Sequence, residues 1–386
     1  MPKQLQQDWD PRSATTLRDQ RAAYDEMRQR CPVAHSDYAG WSVFRHRDVT
    51  RVLLDNDTFS NRVSRHISVP NGMDPPEHTP YRKIIEPYFN AERMAEFEPI
   101  CREIAEDLAG STLQQDHIEL MADFAQPFAL RIQCAFMGWP LKLQDNLLSW
   151  ASRNAEATLA RDRAILAALA EEFDALIADL LHTRRRAGTS ADADADVTSA
   201  LMQEQINGRP LSDQEIASIL RNWTVGEVGT IAASVGILTQ FLAANPEVQQ
   251  QLRDDPELLW QANDEILRLH GPLVDNRRRA TCPVKLGGRQ IEAGQRITIN
   301  WLAANRDPDI FADPERFSLE RDPSLNLLYG AGVHVCPGAP LARMELVIIM
   351  RSLLQHSSSL QLIAEQPATL ATYPSSGYAS LPLRLR

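Results

Sequence analysis

No run of eighteen or more apolar residues appears in this 386-residue chain. Its first residues, MPKQLQQDWDPRSATT, lack the basic stretch and apolar core of a secretory signal. No membrane partner is indicated, and the expected location is the cytoplasm. Cysteine is scarce: Cys31, Cys101, Cys134, Cys282 and Cys336 are odd in number, widely spread and without a C-x-x-C pair. That pattern excludes a disulfide framework and a zinc knuckle, and leaves most of these thiols as small buried hydrophobes. Positive charge is in short supply too. A net charge of −11 argues against a nucleic-acid partner, because phosphate binding needs clustered Lys and Arg. The basic run Arg184, Arg185, Arg186 closes a helical stretch, where cations are favoured.

What the chain does contain is helical pattern. Apolar residues recur at helical spacing through residues 92–109, 118–137, 141–159, 162–184, 212–244, 246–253, 256–269 and 340–355. Strand-like pieces are short: WSVFRH (41–46), VKLGGRQIEAGQRITINW (284–301), and final hairpin pieces LQLIAE and SLPLRLR. The low-complexity patch AGTSADADADVTSA, residues 187–200, and the polar turn INGRP read as a surface connection. There is no internal repeat and no interdomain linker. A mainly α fold with small β portions, forming one domain over residues 1–386, is the economical expectation.

The 212–244 helix has a marked start and an unusual middle. Ser212 with Glu215 three residues on makes a capping box. Further along, RNWTVGEVGT places Gly226 and Gly229 on one face, each costing ~1 kcal/mol relative to Ala inside a helix. Either another helix packs closely there, or something flat or small approaches the backbone beside Glu227 and Thr230, which lie one turn apart. The next helix carries Glu265 and Arg268 at i and i+3. Alone, such a pair is an ordinary surface contact worth only ~0.3–0.5 kcal/mol.

The stretch LLYGAGVHVCPGAPLAR, residues 327–343, gives these features a common meaning. Its glycines and prolines bend a loop around one cysteine and run into a helix, presenting backbone N–H groups to the sulfur at the helix head. Taken in order, E-x-x-R, PERF and this loop resemble the cytochrome P450 superfamily over nearly the whole chain. The loop matches the family plan at Tyr329, Gly330, Gly332, His334, Cys336 and Gly338, and the tail at Leu341, Ala342, Arg343 and Glu345.

The resemblance implies a triangular helical prism with haem b held between an oxygen-activating helix and the cysteine-ligand helix. Cys336 would be the metal ligand, an axial thiolate that pushes electron density to iron and favours O–O cleavage. His78, Arg82 and His334 would contact the haem propionates, with Arg278 as a further partner inside the run Arg277, Arg278, Arg279, where the choice is open by one residue. Glu265, Arg268 and Arg316 of PERF would form a structural triad. The oxygen helix departs from the usual pattern, since Gly229 and not an acid precedes Thr230 and the acid, Glu227, stands two residues earlier. Either Glu227 substitutes for that acid or water held by Thr230 delivers protons; failing both, peroxide would drive the reaction.

NWTVGEVGT, together with NGMDPPEHTPY, is similar to a bacterial subgroup that includes self-sufficient enzymes with a fused reductase and a guaiacol-type aromatic O-demethylase. The chain ends fifty residues past Cys336 without a flavin-binding Gly-rich motif or a cysteine cluster. Electrons from NAD(P)H are therefore expected through a separate partner, a ferredoxin with its reductase or a single chain carrying flavin and iron–sulfur centres. That partner would dock near Cys336 on Arg82, Lys83 and Arg343. Pocket walls, carried over from the family, would be Val63, Ile67, Val69, Ile219, Trp223, Val225, Gly226, Leu273, Val274 and Tyr378, with Ser376 and Gly377 at the final hairpin turn. This set has no positive charge and suits a small neutral molecule. The expected reaction is monooxygenation, favoured as O-demethylation of a methoxyphenol. Aliphatic or terpenoid hydroxylation, a peroxygenase and a haem-based sensor are the alternatives.

Overall fold

The computed structural model describes residues 7–64, 66–187 and 196–385. Six helices and five strands position the site. The helices are α1 (His78–Ile85), α2 (Ala91–Thr112), α3 (Gln126–Met137), α4 (Asp213–Ala244), α5 (Leu259–His270) and α6 (Ala339–Gln355). The strands are β1 (Val33–Ser36), β2 (Gly40–Val43), β3 (Phe59–Ser60), β4 (Asp275–Ala280) and β5 (Arg296–Asn300).

The main apolar core lies among α2, α3, α4 and α6, where residues such as Cys101, Ile132, Leu238 and Ile349 are fully buried. The strands form one sheet in the order β1-β2-β5-β4-β3. Within it β2 and β5 run parallel (Ile297 opposite Trp41) and the other neighbours are antiparallel. A second apolar cluster, including Val43, Phe59, Ile297 and Trp301, covers this sheet.

Helix α4 begins where the sequence places it. The Ser212 hydroxyl accepts from the Glu215 N–H at 3.3 Å, and the Glu215 carboxylate accepts from the Ser212 N–H at 2.7 Å. Glu215 also takes Arg209 at 2.7 and 2.8 Å and the hydroxyl of Tyr81, which ties α1 to the head of α4. Although α4 is long and apolar enough to cross a membrane, most of it is buried inside the protein, as the central helix of a layered core must be.

Several local expectations change. The stretch expected to be helical from 118 instead opens with a strand, His117–Glu119, pairing with Pro382–Leu385, and a wide π-helical turn, Met121–Ala125. The sheet partner comes from the far end of the chain, which helical periodicity cannot register. Helices Gln20–Arg30 and His46–Leu54 were not anticipated. Of the expected surface connection, residues 188–195 lie outside the described residues, and Val197–Leu201 is a short helix capped by Asp196. INGRP makes a two-strand hairpin.

Candidate functional site

The cysteine loop is built by backbone constraints. Gly330 and Gly332 adopt φ of +76° and +72°, and a Cβ at Gly332 would sit 2.7 Å from the Leu53 carbonyl oxygen. Only glycine fits that close approach. The Cys336 N–H donates to the Tyr329 carbonyl at 2.9 Å, closing the loop. At the head of α6, the N–H groups of Gly338 and Ala339 point at the Cys336 sulfur. Burial pushes its thiol up, while these N–H groups and the Arg82 charge favour the thiolate. Cys336 as a residue is nevertheless exposed, although the surrounding fold strips water from its thiol.

Beside the loop three cation-capable groups crowd together. The rings of His78 and His334 meet edge-on with centroids 4.4 Å apart, and the Nε2 atom of each is buried without a partner. Among the described residues Arg278, 7% exposed, donates to the Arg277 carbonyl alone, at 2.8 Å. Its charge and that of His78 add to burial in lowering the His334 imidazole to about 3. Burial, then Arg82, lowers His78. Asp74 opposes these shifts from nearby, and the unused ring donors fit the two carboxylates of a haem. Strand alternation separates the arginine run: Arg278 faces inward, Arg279 outward to the Gly294 carbonyl at 3.3 Å, and Arg277 toward Asp275 and Tyr373. Arg82 stands one turn after His78 on α1. Its guanidinium holds the Val335 carbonyl at 2.7 Å and Glu86 at 2.9 Å, bracing the cysteine loop from α1.

On α4, a Cβ at Gly226 or Gly229 would meet nothing within 4 Å, so helix packing does not explain these glycines. The close approach occurs instead at Gly236, where a Cβ would lie 2.5 Å from the Met121 sulfur. Glu227 and Thr230 are both half-buried, one turn apart. The open backbone at Gly226 and Gly229, the exposed Cys336 and the unpaired donors fit a flat, dianionic, iron-bearing group.

The candidate pocket residues divide. Val63, Ile67, Val225 and Leu273 are exposed, as is Gly226, and Tyr378 is half-buried. Val69, Ile219 and Val274 are at most 1% exposed and belong to the core, which corrects the expectation for them. Ile219 shares a helical face with Gly226, but two turns earlier the segment 67–70 lies over α4, with Ser218 donating to the Ile67 carbonyl at 3.1 Å and Asn222 to that of Val69 at 3.0 Å. Val274 points opposite to its extended-chain neighbour Leu273 and packs with Tyr24 and Phe44. Trp223 is half-buried: its ring packs on Phe89, centroids 5.1 Å apart, and Phe89 borders Gly338 beside the cysteine. At the last turn, Ser376 donates to the Gly271 carbonyl at 2.6 Å and Gly377, at φ +78°, lies against the Ala233 carbonyl of α4.

The structural triad forms with one substitution of partner. Arg268, 1% exposed, holds Glu265 at 2.7 and 2.9 Å and the Asn305 carbonyl at 2.7 Å. The third member is Arg321, at 2.8 Å from Glu265, and not Arg316, whose carbonyl merely accepts from Arg321 at 2.8 Å. PERFSLER carries two arginines, and the turn at Asp313, φ +44°, sends the second one back. Arg343, expected on a docking face, is tied to Asp264 at 2.9 and 3.0 Å and lies over the Tyr329 ring. Of the three docking cations, Lys83 is exposed.

One buried acid escaped sequence reasoning as a site residue. Glu345 on α6 is fully buried, with neither carboxyl oxygen hydrogen-bonded, and it faces Glu227 of α4. Its signal was present: a carboxylate on the inward face of the apolar run MELVIIM.

A family model described as cytochrome P450 matches residues 146–365. Mycinamicin IV hydroxylase/epoxidase of Micromonospora griseorubida is 32% identical over 88% of this chain and 88% of its own length. Probable cytochrome P450 127A1 of Sinorhizobium fredii is 31% identical, over 81% of this chain and 76% of its own. Among solved structures, a mutant of P450 EryK in complex with erythromycin B superposes with a TM-score of 0.85 at 26% identity, covering 96% of this chain and 97% of that one.

Proposed function

Since the chain belongs to the cytochrome P450 family and is a haem-thiolate monooxygenase, we propose that it inserts one oxygen atom of O2 into a small, neutral, mainly apolar substrate. The favoured reaction is oxidative O-demethylation of a methoxyphenol of the guaiacol or 4-alkylguaiacol type, releasing formaldehyde. The observation that carries this reading is the character of the accessible candidate side chains: Val63, Ile67, Val225, Leu273 and Tyr378 bear no charge, so no ion pair is offered to a carboxylate substrate.

When bound, the haem would supply the iron at which O2 is activated, and Cys336 would hold that iron as its thiolate. The chain's own residues do the rest. His78, His334 and Arg278 would hold the propionates, while Arg82 braces the ligand loop and Gly338 and Ala339 direct N–H groups at the sulfur. Thr230 and Glu227 hold protons over the open backbone of Gly226 and Gly229, Glu227 standing in for the acid that usually precedes the threonine. In this reading residues 1–386 act as one haem domain in the cytoplasm. Electrons from NAD(P)H arrive through a ferredoxin and its reductase, or through a single-chain flavin/iron–sulfur reductase, docking beside Lys83.

Hydroxylation at an aliphatic carbon is the second reading, favoured by the relatives named as hydroxylases of mycinamicin IV and of erythromycin at C-12. A Soret titration of the ferric protein separates the two. A low-to-high-spin shift with guaiacol and 4-alkylguaiacols, absent with a linear alkane or a monoterpene, supports O-demethylation; the converse pattern replaces it with hydroxylation. Turnover with peroxide and no donor protein would overturn the need for a redox partner.

A further inference from the structure

Residues 67–70 belong to no helix or strand, and side chains of α4 hold them in place. Ser218, Arg221 and Asn222 stand at i, i+3 and i+4 and so share one face of that helix. The Ser218 hydroxyl accepts from the Val69 N–H at 2.8 Å and donates to the Ile67 carbonyl at 3.1 Å. Asn222 donates to the Val69 carbonyl at 3.0 Å and accepts from the Ser68 hydroxyl at 3.3 Å. Arg221 brings a second donor to the Ile67 carbonyl at 2.9 Å, and its other terminal nitrogen holds Asp174 of the helix Arg163–Ala187. One planar guanidinium on α4 thus fastens two pieces of chain that lie 47 and 154 residues away from it. The parts of this clasp differ in exposure. Ser218 and Val69 are fully buried, whereas the side chain of Asp174 is 45% exposed and that of Arg221 12%. Buried hydrogen bonds are costly to leave unmade, while an accessible ion pair is worth little and is screened by salt. The ion pair is therefore the part that yields first. It stands at the edge of the accessible apolar set: Ile67 supplies the carbonyl that it holds, and Val225 lies one turn beyond Arg221.

We propose that Arg221 is a specificity-determining residue: it fixes how far residues 67–70 stand from the helix Arg163–Ala187, so that small uncharged molecules pass while bulkier ones enter only as its ion pair with Asp174 parts. This role rests on the reading of Val63, Ile67 and Val225 as side chains that meet substrate. The guanidinium offers no charge to that substrate, because its terminal nitrogens are taken up by Ile67 and Asp174. Parting the pair is also reversible at little cost. The Ile67 carbonyl keeps the Ser218 hydroxyl when Arg221 withdraws, so the exposed Ile67 edge can move without stranding a buried acceptor, while Val69 stays anchored by Ser218 and Asn222.

Stopped-flow binding of uncharged ligands to the holoprotein tests this role without calling on the natural substrate. Imidazole and the bulkier 4-phenylimidazole, both in their uncharged form, report arrival at the iron by a Soret shift. In the wild type the 4-phenylimidazole rate is expected to rise about two- to fivefold between low and high sodium chloride, as the exposed pair is screened, while the imidazole rate stays unchanged. In Arg221→Met the larger ligand is expected to bind at the fast rate at every salt concentration, and Asp174→Asn, a change at a half-exposed side chain, is expected to do the same. A merely structural arginine would lower the melting temperature of Arg221→Met and leave the salt dependence in place. Salt-independent binding of 4-phenylimidazole in the wild type overturns the proposal, a result that needs no variant to fold. An equal salt effect on both ligands, or one that survives in both variants, overturns it as well. If the rates behave as expected but methoxyphenols give no spin shift, Arg221 keeps its role and the O-demethylation reading falls; if guaiacol gives the shift while the variants bind as the wild type does, the reverse holds.

Discussion

Two buried polar regions lie on either side of α5 and α6, and they treat charge in opposite ways. Around Glu265 every charge is answered: Arg268 and Arg321 close on the carboxylate at 2.7–2.9 Å, and their remaining donors reach backbone carbonyls of Asn305, Pro314, Ala312 and Asp313. Around His334 and across α4 to Glu345, buried donors and acceptors are left open. A satisfied network stabilises a fold and has no capacity for anything else, whereas unsatisfied buried groups cost ~1–3 kcal/mol each and persist where a ligand or a proton completes them.

Substitutions that strip each region test this contrast, and the largest effect is expected at the ligand. Cys336→Ser removes the thiolate, and the reduced, carbon-monoxide-bound spectrum is expected to lose its thiolate character together with all monooxygenase activity. A thiolate-type spectrum in that variant would show that another residue ligates the iron. Next in size is Glu265→Gln, which leaves the buried Arg268 and the half-buried Arg321 without their anion. A loss of about 3–5 kcal/mol in urea-unfolding free energy is expected. A loss below 1 kcal/mol would mean that the satisfied network contributes little to stability.

The open region gives smaller and more selective effects. Arg278→Gln is expected to weaken haem retention on the order of ten- to a hundredfold, from ~1.5–3 kcal/mol for a hydrogen bond to a charged group. The neighbouring Arg279→Gln, on the outer side of β4, is expected to stay within about 0.5 kcal/mol of the parent. Haem transfer to a competing apo-globin measures both, and equal losses would erase the distinction between inward and outward arginines. The smallest effect separates the glycines of α4. Gly229→Ala, with nothing near the added methyl, is expected to gain up to ~1 kcal/mol of stability while impairing activity; Gly236→Ala, pressed on Met121, is expected to gain less or lose. Thermal melts with parallel activity assays decide between these.

Much of the ligand site was legible locally. The bend around Cys336 follows from Gly330 and Gly332 and the helix that begins at Ala339, all neighbours in sequence. The capping box at Ser212 and Glu215 was equally local. Arg321 was missed because a turn at positive φ chooses between two arginines five residues apart. Val69 and Ile219 were misplaced because the segment over α4 comes from about 150 residues away, and neither helical face nor residue type announces what covers it.

The sequence by itself determined the helical architecture and the bend of the cysteine loop, because caps, turns and motif spacings act over a few residues. Only the tertiary structure decided which arginine of three turns inward and which apolar candidates stay accessible. Those outcomes depend on how far strands and helices rotate as they pack.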